Sequence, residues 1–175
     1  MFRALAAPVA VLVLAFPAAA IPAPGGAQSP TEAALESGVL SRINQIRHDH
    51  GLVLLESSPA LAASALQQTR EMAADGYFDH NSANGLAFWR RIAQSYPHAP
   101  GSRMWAVGEN LLWSSPGIDP GGAIQLWMDS DAHRRNILDP NWRDVGIAAL
   151  HVASAPGAFG NDPVTILTAD FGVRR

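Results

Sequence analysis

Three stretches of the chain set histidine, carboxylate and amide side chains beside glycine or turn residues, the combination from which acid–base, metal or ligand chemistry is built. The first, Gly76-Tyr77-Phe78-Asp79-His80-Asn81, is a polar loop anchored by an aromatic pair; the plainer reading of His80 is a surface histidine on a turn. The second, Val107-Gly108-Glu109-Asn110-Leu111, puts a carboxylate and an amide inside an apolar segment flanked by Trp105 and Trp113. An ionised Glu109 buried there is costly unless paired or coordinated, so it either has a partner or points into water from an edge. The third runs from Trp127 to Leu138 through Asp129, Ser130, Asp131 and His133. If one helix spans it, Asp129 and His133 stand four apart on one face, where a carboxylate orients an imidazole. If Ser130 caps a fresh turn instead, its oxygen bonds a backbone N–H near His133. A charged, solvated helix end is the bland alternative, and it accounts for Arg134 and Arg135.

The elements around these stretches follow from spacing. Leu35, Val39, Ile43 and Ile46 recur at helical intervals from Thr31, with Gly51 as the stop. Ser58 and Pro59 open a second helix, continued by Leu61, Ala65, Leu66, Thr69 and Met72 to Asp75-Gly76. A third covers Leu86 to Ser95 with Leu86, Trp89 and Ile92 facing inward, and Tyr96 to Gly101 breaks it. Trp105 to Trp113 reads as a strand, and Pro120-Gly121-Gly122 introduces a fourth helix from Ala123. Asp144 to Val152 and Val164 to Val173, rich in Val, Ile, Thr and Phe, are strands. Helices first and strands gathered late predict an α+β fold or a three-layer α-β-α sandwich, against the regular alternation of a doubly wound sheet.

Composition narrows the classes. With 48% hydrophobic residues the chain can build a core, and a formal net charge of -3 gives no field for nucleic acid. Met1-Phe2-Arg3 precedes an apolar run, Ala4 to Phe16, that ends in Pro17 and three alanines, the pattern of a secretory signal peptide. The run is shorter than the roughly 20 residues of a membrane span, so membrane contact would come only through an uncleaved leader. The expected layout is a signal peptide over 1–20, a Pro/Gly-rich linker over 21–31, and one domain over 32–175, the protein being secreted. The chain has no cysteine, which removes disulfides, thiolate ligands and cysteine nucleophiles and leaves site chemistry to His, carboxylates and hydroxyls. His48 and His50, two apart on a helix, face different sides; with His98 and His151 they read as surface or packing residues.

Phe78-Asp79-His80, Gly108-Glu109-Asn110-Leu111, and Trp127-Met128-Asp129-Ser130 followed by His133-Arg134-Arg135-Asn136-Ile137-Leu138 and Val145-Gly146-Ile147-Ala148 resemble, in order, the signature segments of the CAP superfamily. That superfamily takes in cysteine-rich secretory proteins, antigen 5 and pathogenesis-related 1 proteins, and the resemblance is to its bacterial, SCP-like secreted branch. It implies a three-layer α-β-α sandwich around a central, largely antiparallel sheet, with a shallow cleft carrying two histidines and two acids. His80 matches the first histidine, Glu109 the first acid and His133 the second histidine. The second acid falls at Ser130, beside which Asp129 and Asp131 are candidate substitutes. Gly108, Asn110 and Asn136 are expected to support the cleft, the glycine by admitting close approach and the amides by satisfying backbone groups.

Such a cleft has three uses. As a binding module, the resemblance implies, it takes an extracellular small ligand, a lipid or sterol or a cell-envelope component. Two converging imidazoles also suit Zn2+, with the third donor from Glu109, Asp129 or Asp131. A hydrolase lacks both Gly-x-Ser-x-Gly and HExxH here; its coherent form is a metal-bound water with Glu109 and His133 as the acting groups. A purely structural polar knot is the remaining alternative.

Overall fold

The computed structural model describes residues 30–175. The expected leader and nearly all of the linker lie outside the described residues. The chain folds as α1 (Pro30–Asp49), β1 (Glu56–Ser57), α2 (Pro59–Asp75), α3 (Phe88–Ser95), β2 (Trp105–Ser114), α4 (Pro120–Asp129), α5 (Asp131–Leu138), β3 (Asp144–Val152), a short 3-10 turn (Gly157–Phe159) and β4 (Val164–Arg174). α1 takes up Pro30 and Thr31, the last two residues expected in the linker.

Local chemistry sets the helix ends. Ser58 accepts from the Leu61 N–H ahead of Pro59, and Gly76, at φ 70°, closes α2 by donating to Met72 O. α4 starts at Pro120 rather than Ala123 because Asp119 caps it, accepting from Gly122 N at 2.7 Å. Gly121 and Gly122 are thus the helix's first turn, not its approach.

The sheet runs β1-β3-β4-β2. β4 pairs antiparallel with both β3 and β2, and the two-residue β1 adds a parallel edge to β3. Helices cover both faces, α1, α4 and α5 on one and α2 with α3 on the other, giving the three layers. Strand alternation assigns the side chains. Leu167, Ala169, Phe171 and Val173 of β4 join Leu35, Val39 and Ile43 of α1 and Trp127 of α4 in the larger core. Val164 and Ile166 face Met72 and Phe159 on the opposite side. Full burial of each large aliphatic contributes about 1.5–3 kcal/mol, which sustains a cysteine-free domain. Gly146 is required where α2 crosses β3, since a Cβ there would lie 2.0 Å from Ala62 N.

α3 departs from expectation. It starts at Phe88, its buried residues are Arg91 and Ile92, and Trp89 is 44% exposed. Spacings of three and four from Phe88 put Arg91, Ile92 and Ser95 inward and turn Trp89 to water. Among the described residues, no helix is long and apolar enough to cross a membrane.

Candidate functional site

Among the described residues β2 is an edge strand, bonded to β4 on one side only, and its alternation divides the site between the two helical layers. Glu109 points toward α2 and α3, where its side chain is fully enclosed. One carboxylate oxygen accepts from Arg91 of α3, and the other lies 2.8 Å from His80 Nδ1. Arg91 is itself fully buried and also donates to Gln68 Oε1 at 2.7 Å and to the His80 carbonyl at 3.0 Å. Gln68 Nε2 donates to Asp79 O at 2.7 Å, so α2 and α3 together grip the backbone of the loop carrying His80. The ring of Phe88 stands against the imidazole, centroids 6.0 Å apart.

Gly108 and Asn110 point the other way, toward α5. Asn110 Nδ2 donates to the His133 carbonyl at 3.1 Å. Asn136 Nδ2 reaches Asn110 Oδ1 at 2.9 Å and Glu109 O at 3.0 Å, tying α5 to the strand. A Cβ on Gly108 would press on Trp142 at 3.0 Å and on Asn136 Oδ1 at 3.2 Å, so glycine is what lets the amide close in. The far end of α5 is pinned by Arg47, which donates to Ile137 O at 2.8 Å and Asp139 O at 2.9 Å.

His80 lies in the loop after α2 and His133 on α5, near enough for the charge of His80 to act on His133. Their environments differ. Glu109 raises His80 above the ordinary 6.5, first by hydrogen bonding and then by charge, against a smaller desolvation effect. His133 is held below 6.5, chiefly by burial and then by the charge on His80. Half of the His80 side chain reaches solvent, and its Nε2 has no hydrogen bond with the described residues. Glu109 thus favours the cation of His80, while burial favours the neutral form of His133.

The remaining expected groups are elsewhere. The chain bends at Ser130 (φ -94°, ψ 121°), so α4 and α5 are separate helices and Asp129 does not stack over His133. Asp129 accepts from Gln125 Nε2 at 2.9 Å, and Asp131 pairs with Arg134, both in water. Ser130 occupies the α5 N-cap position without a side-chain cap bond. The acid that does lie beside Glu109 is Asp170, its cross-strand partner on β4, fully buried. Arg91, Gln68 and Asp170 escaped the sequence reading, although each sits at an inward position of its own element. His48, His50, His98 and His151 are exposed. Trp105 donates to Tyr96 O at 2.9 Å and Trp113 packs edge-on against Phe159, so Phe88 is the aromatic seen against His80.

The donor set for zinc is incomplete. Both Glu109 oxygens are committed, and among the described residues no three His, Asp or Glu side chains are grouped to hold a metal ion. Glu109 is for the same reason not a free base for activating water.

An α-β-α sandwich of this topology defines a class, and comparison gives that class its name. The sequence profile described as the CAP, cysteine-rich secretory protein family matches residues 40–166, and the chain belongs to that family. It is 31% identical over 124 residues to the uncharacterized protein YkwD of Bacillus subtilis (strain 168), covering 69% of this chain and 44% of that protein. The crystal structure of an extracellular protein containing an SCP domain from Bacillus anthracis str. Ames superposes with TM-score 0.63 at 23% identity, over 86% of this chain and 45% of that one. An outer surface protein from Borrelia burgdorferi superposes with TM-score 0.62 at 18% identity, over 78% of this chain and 90% of that one. This chain therefore spans less than half the length of the two bacillar proteins.

The geometry makes two predictions. Asn136→Ala leaves Asn110 Oδ1 and Glu109 O without their shared donor and should cost about 1–3 kcal/mol in urea unfolding; an unchanged midpoint contradicts the bridge. In an NMR titration His80 should protonate above 6.5 and His133 below it, with His133 moving up in His80→Asn. The stability signs then oppose each other. The His80 contact contributes fully below its unfolded value and fades as pH rises through its folded value, whereas the held-neutral His133 loses stability as pH falls below 6.5. Equal midpoints for the two rings would contradict this.

Proposed function

We propose that this protein is an exported binding module whose cleft captures an extracellular small ligand through an anionic acceptor group, a carboxylate or phosphate of a cell-envelope component. The observation that carries the reading is the His80–Glu109 pair, a half-exposed imidazole whose Nδ1 lies 2.8 Å from a buried carboxylate. His80, backed by Glu109, turns an uncommitted Nε2 toward solvent, where a protonated ring donates a charge-assisted hydrogen bond. Nearby His133, kept neutral, adds a second polar contact without a competing charge. Phe88 against the His80 ring gives the ligand's apolar part a wall. Asp79, beside His80 but exposed and turned to Asn81 N at 2.7 Å, opposes an anion only through screened charge.

Secretion fits the apolar leader expected at residues 1–20 and the description of the Bacillus anthracis and Borrelia proteins as extracellular and outer surface. Hydrolysis is the weaker reading. Glu109 is saturated by Arg91 and His80, and Ser130 makes no side-chain bond in its cap position. A zinc-centred function is weaker for want of a third donor among the described residues.

The test is chemical-shift perturbation at the two imidazoles with glycerol 3-phosphate, muramyl dipeptide and phosphatidylglycerol vesicles as probes. At least one probe should move both rings, with affinity falling about tenfold or more in His80→Asn and falling again as pH rises through the His80 midpoint. Binding indifferent to His80→Asn and His133→Asn, or no response at either ring to any probe, would overturn it.

A further inference from the structure

Asp170 and Glu109 lie directly opposite each other on antiparallel β4 and β2, so their side chains share the sheet face under α2 and α3. Asp170 is fully buried, and neither carboxyl oxygen has a partner of good hydrogen-bond geometry among the described residues. The groups facing it come from each packed element. α2 supplies Ser64, whose hydroxyl is buried and also without such a partner; α3 supplies Arg91, whose Nε is likewise unpartnered; β2 supplies Glu109. β3 presents Gly146 opposite Asp170 and hence no side chain. Beyond Glu109 come His80 at the rim and Asp79 in water.

The charge count inside this enclosure is short by one. Two acids share a single guanidinium, and its charge is already matched by Glu109, which also meets His80. Ionising Asp170 as well would leave a buried negative charge with no further counterion among the described residues, pressed against a second carboxylate. Of the two acids, Glu109 holds the cation and the imidazole, so it keeps the charge.

We propose that Asp170 is the second acid of the cleft and works as a neutral, protonated carboxyl: a positioning residue beneath Glu109 that keeps the buried floor at zero net charge and confines the negative charge to the oxygens facing His80 and Arg91. This deepens the proposed binding function, on which it rests for the identity of the cleft. With a neutral floor, the charge of His80 is left to the ligand; with Asp170 ionised, the floor would be anionic and would repel one. Burial first, and the charge on Glu109 second, push Asp170 far above the usual carboxylate range, in agreement with this arrangement.

The test needs no ligand, so it is decided separately from the binding function. In protein labelled with carboxyl 13C-aspartate, the resonance assigned to Asp170 should keep the shift of a protonated carboxyl at neutral pH while exposed aspartates such as Asp79 show carboxylate shifts. Asp170→Asn, a neutral isostere, should fold and leave the His80 midpoint within about 0.3 pH of wild type; Asp170→Ala should displace it and lower the melting temperature, both restored by Asn. A carboxylate shift for Asp170 at neutral pH would overturn the proposal, as would a fall of about one pH unit or more in the His80 midpoint of Asp170→Asn. Should Asp170→Asn fail to fold, the wild-type resonance alone decides.

Discussion

Arg91 and Glu109 form an ion pair from which water is excluded on both sides, and the cleft is organised around it. Neither group could occupy its place alone. A lone buried charge of either sign loses its hydration with nothing in return, whereas the pair, completed by Gln68 and the His80 carbonyl, satisfies most of the guanidinium's donors. The same guanidinium therefore fixes a strand, a helix and the His80 loop in one register. Such a pair need not make the domain more stable than a well-packed apolar substitute would. It makes the position of His80 determinate.

The edge position of β2 turns that local pair into a site. Alternation along an edge strand sends Glu109 to one helical layer and Asn110 to the other, so each layer can deliver a histidine to the strand's open side. His80 is held through its side chain by a carboxylate, and α5 with His133 is held through backbone and amide bonds. The opposite pKa directions of the two rings follow from that difference in attachment. A ring bonded to a carboxylate gains a stabilised cation, while a half-buried ring with a cation for a neighbour stays neutral. Two residues of the same type thus acquire different chemistry from the fold.

Much of this was legible in the chain. The strands from Asp144 and Val164, and the ends of α2 at Ser58-Pro59 and Gly76, follow from β-branched runs and cap chemistry that act locally. The order of the histidine and glutamate segments carried the family resemblance, and the family is the one whose profile matches residues 40–166. What was not legible depended on contacts across the fold. Trp89 was expected inside because tryptophan is usually core, yet the inward face of α3 was claimed by Arg91, which needed Glu109 from another layer to be tolerable there. The sequence leaves open one helix with Asp129 over His133 or a fresh turn capped by Ser130; the extended Ser130 breaks the helix, yet its side chain makes no cap bond. The true neighbour of Glu109 was Asp170, far along the chain, signalled only by an acid on the inward alternation of an apolar strand.

The most direct test of this arrangement is a double-mutant cycle on Arg91 and Glu109, read by urea unfolding. Arg91→Met and Glu109→Gln should each destabilise by about 3–5 kcal/mol, because each strands its partner's buried polar group, and the double variant should recover about 2 kcal/mol or more of the summed loss. Strictly additive losses would contradict the central claim, since the two side chains would then not depend on one another.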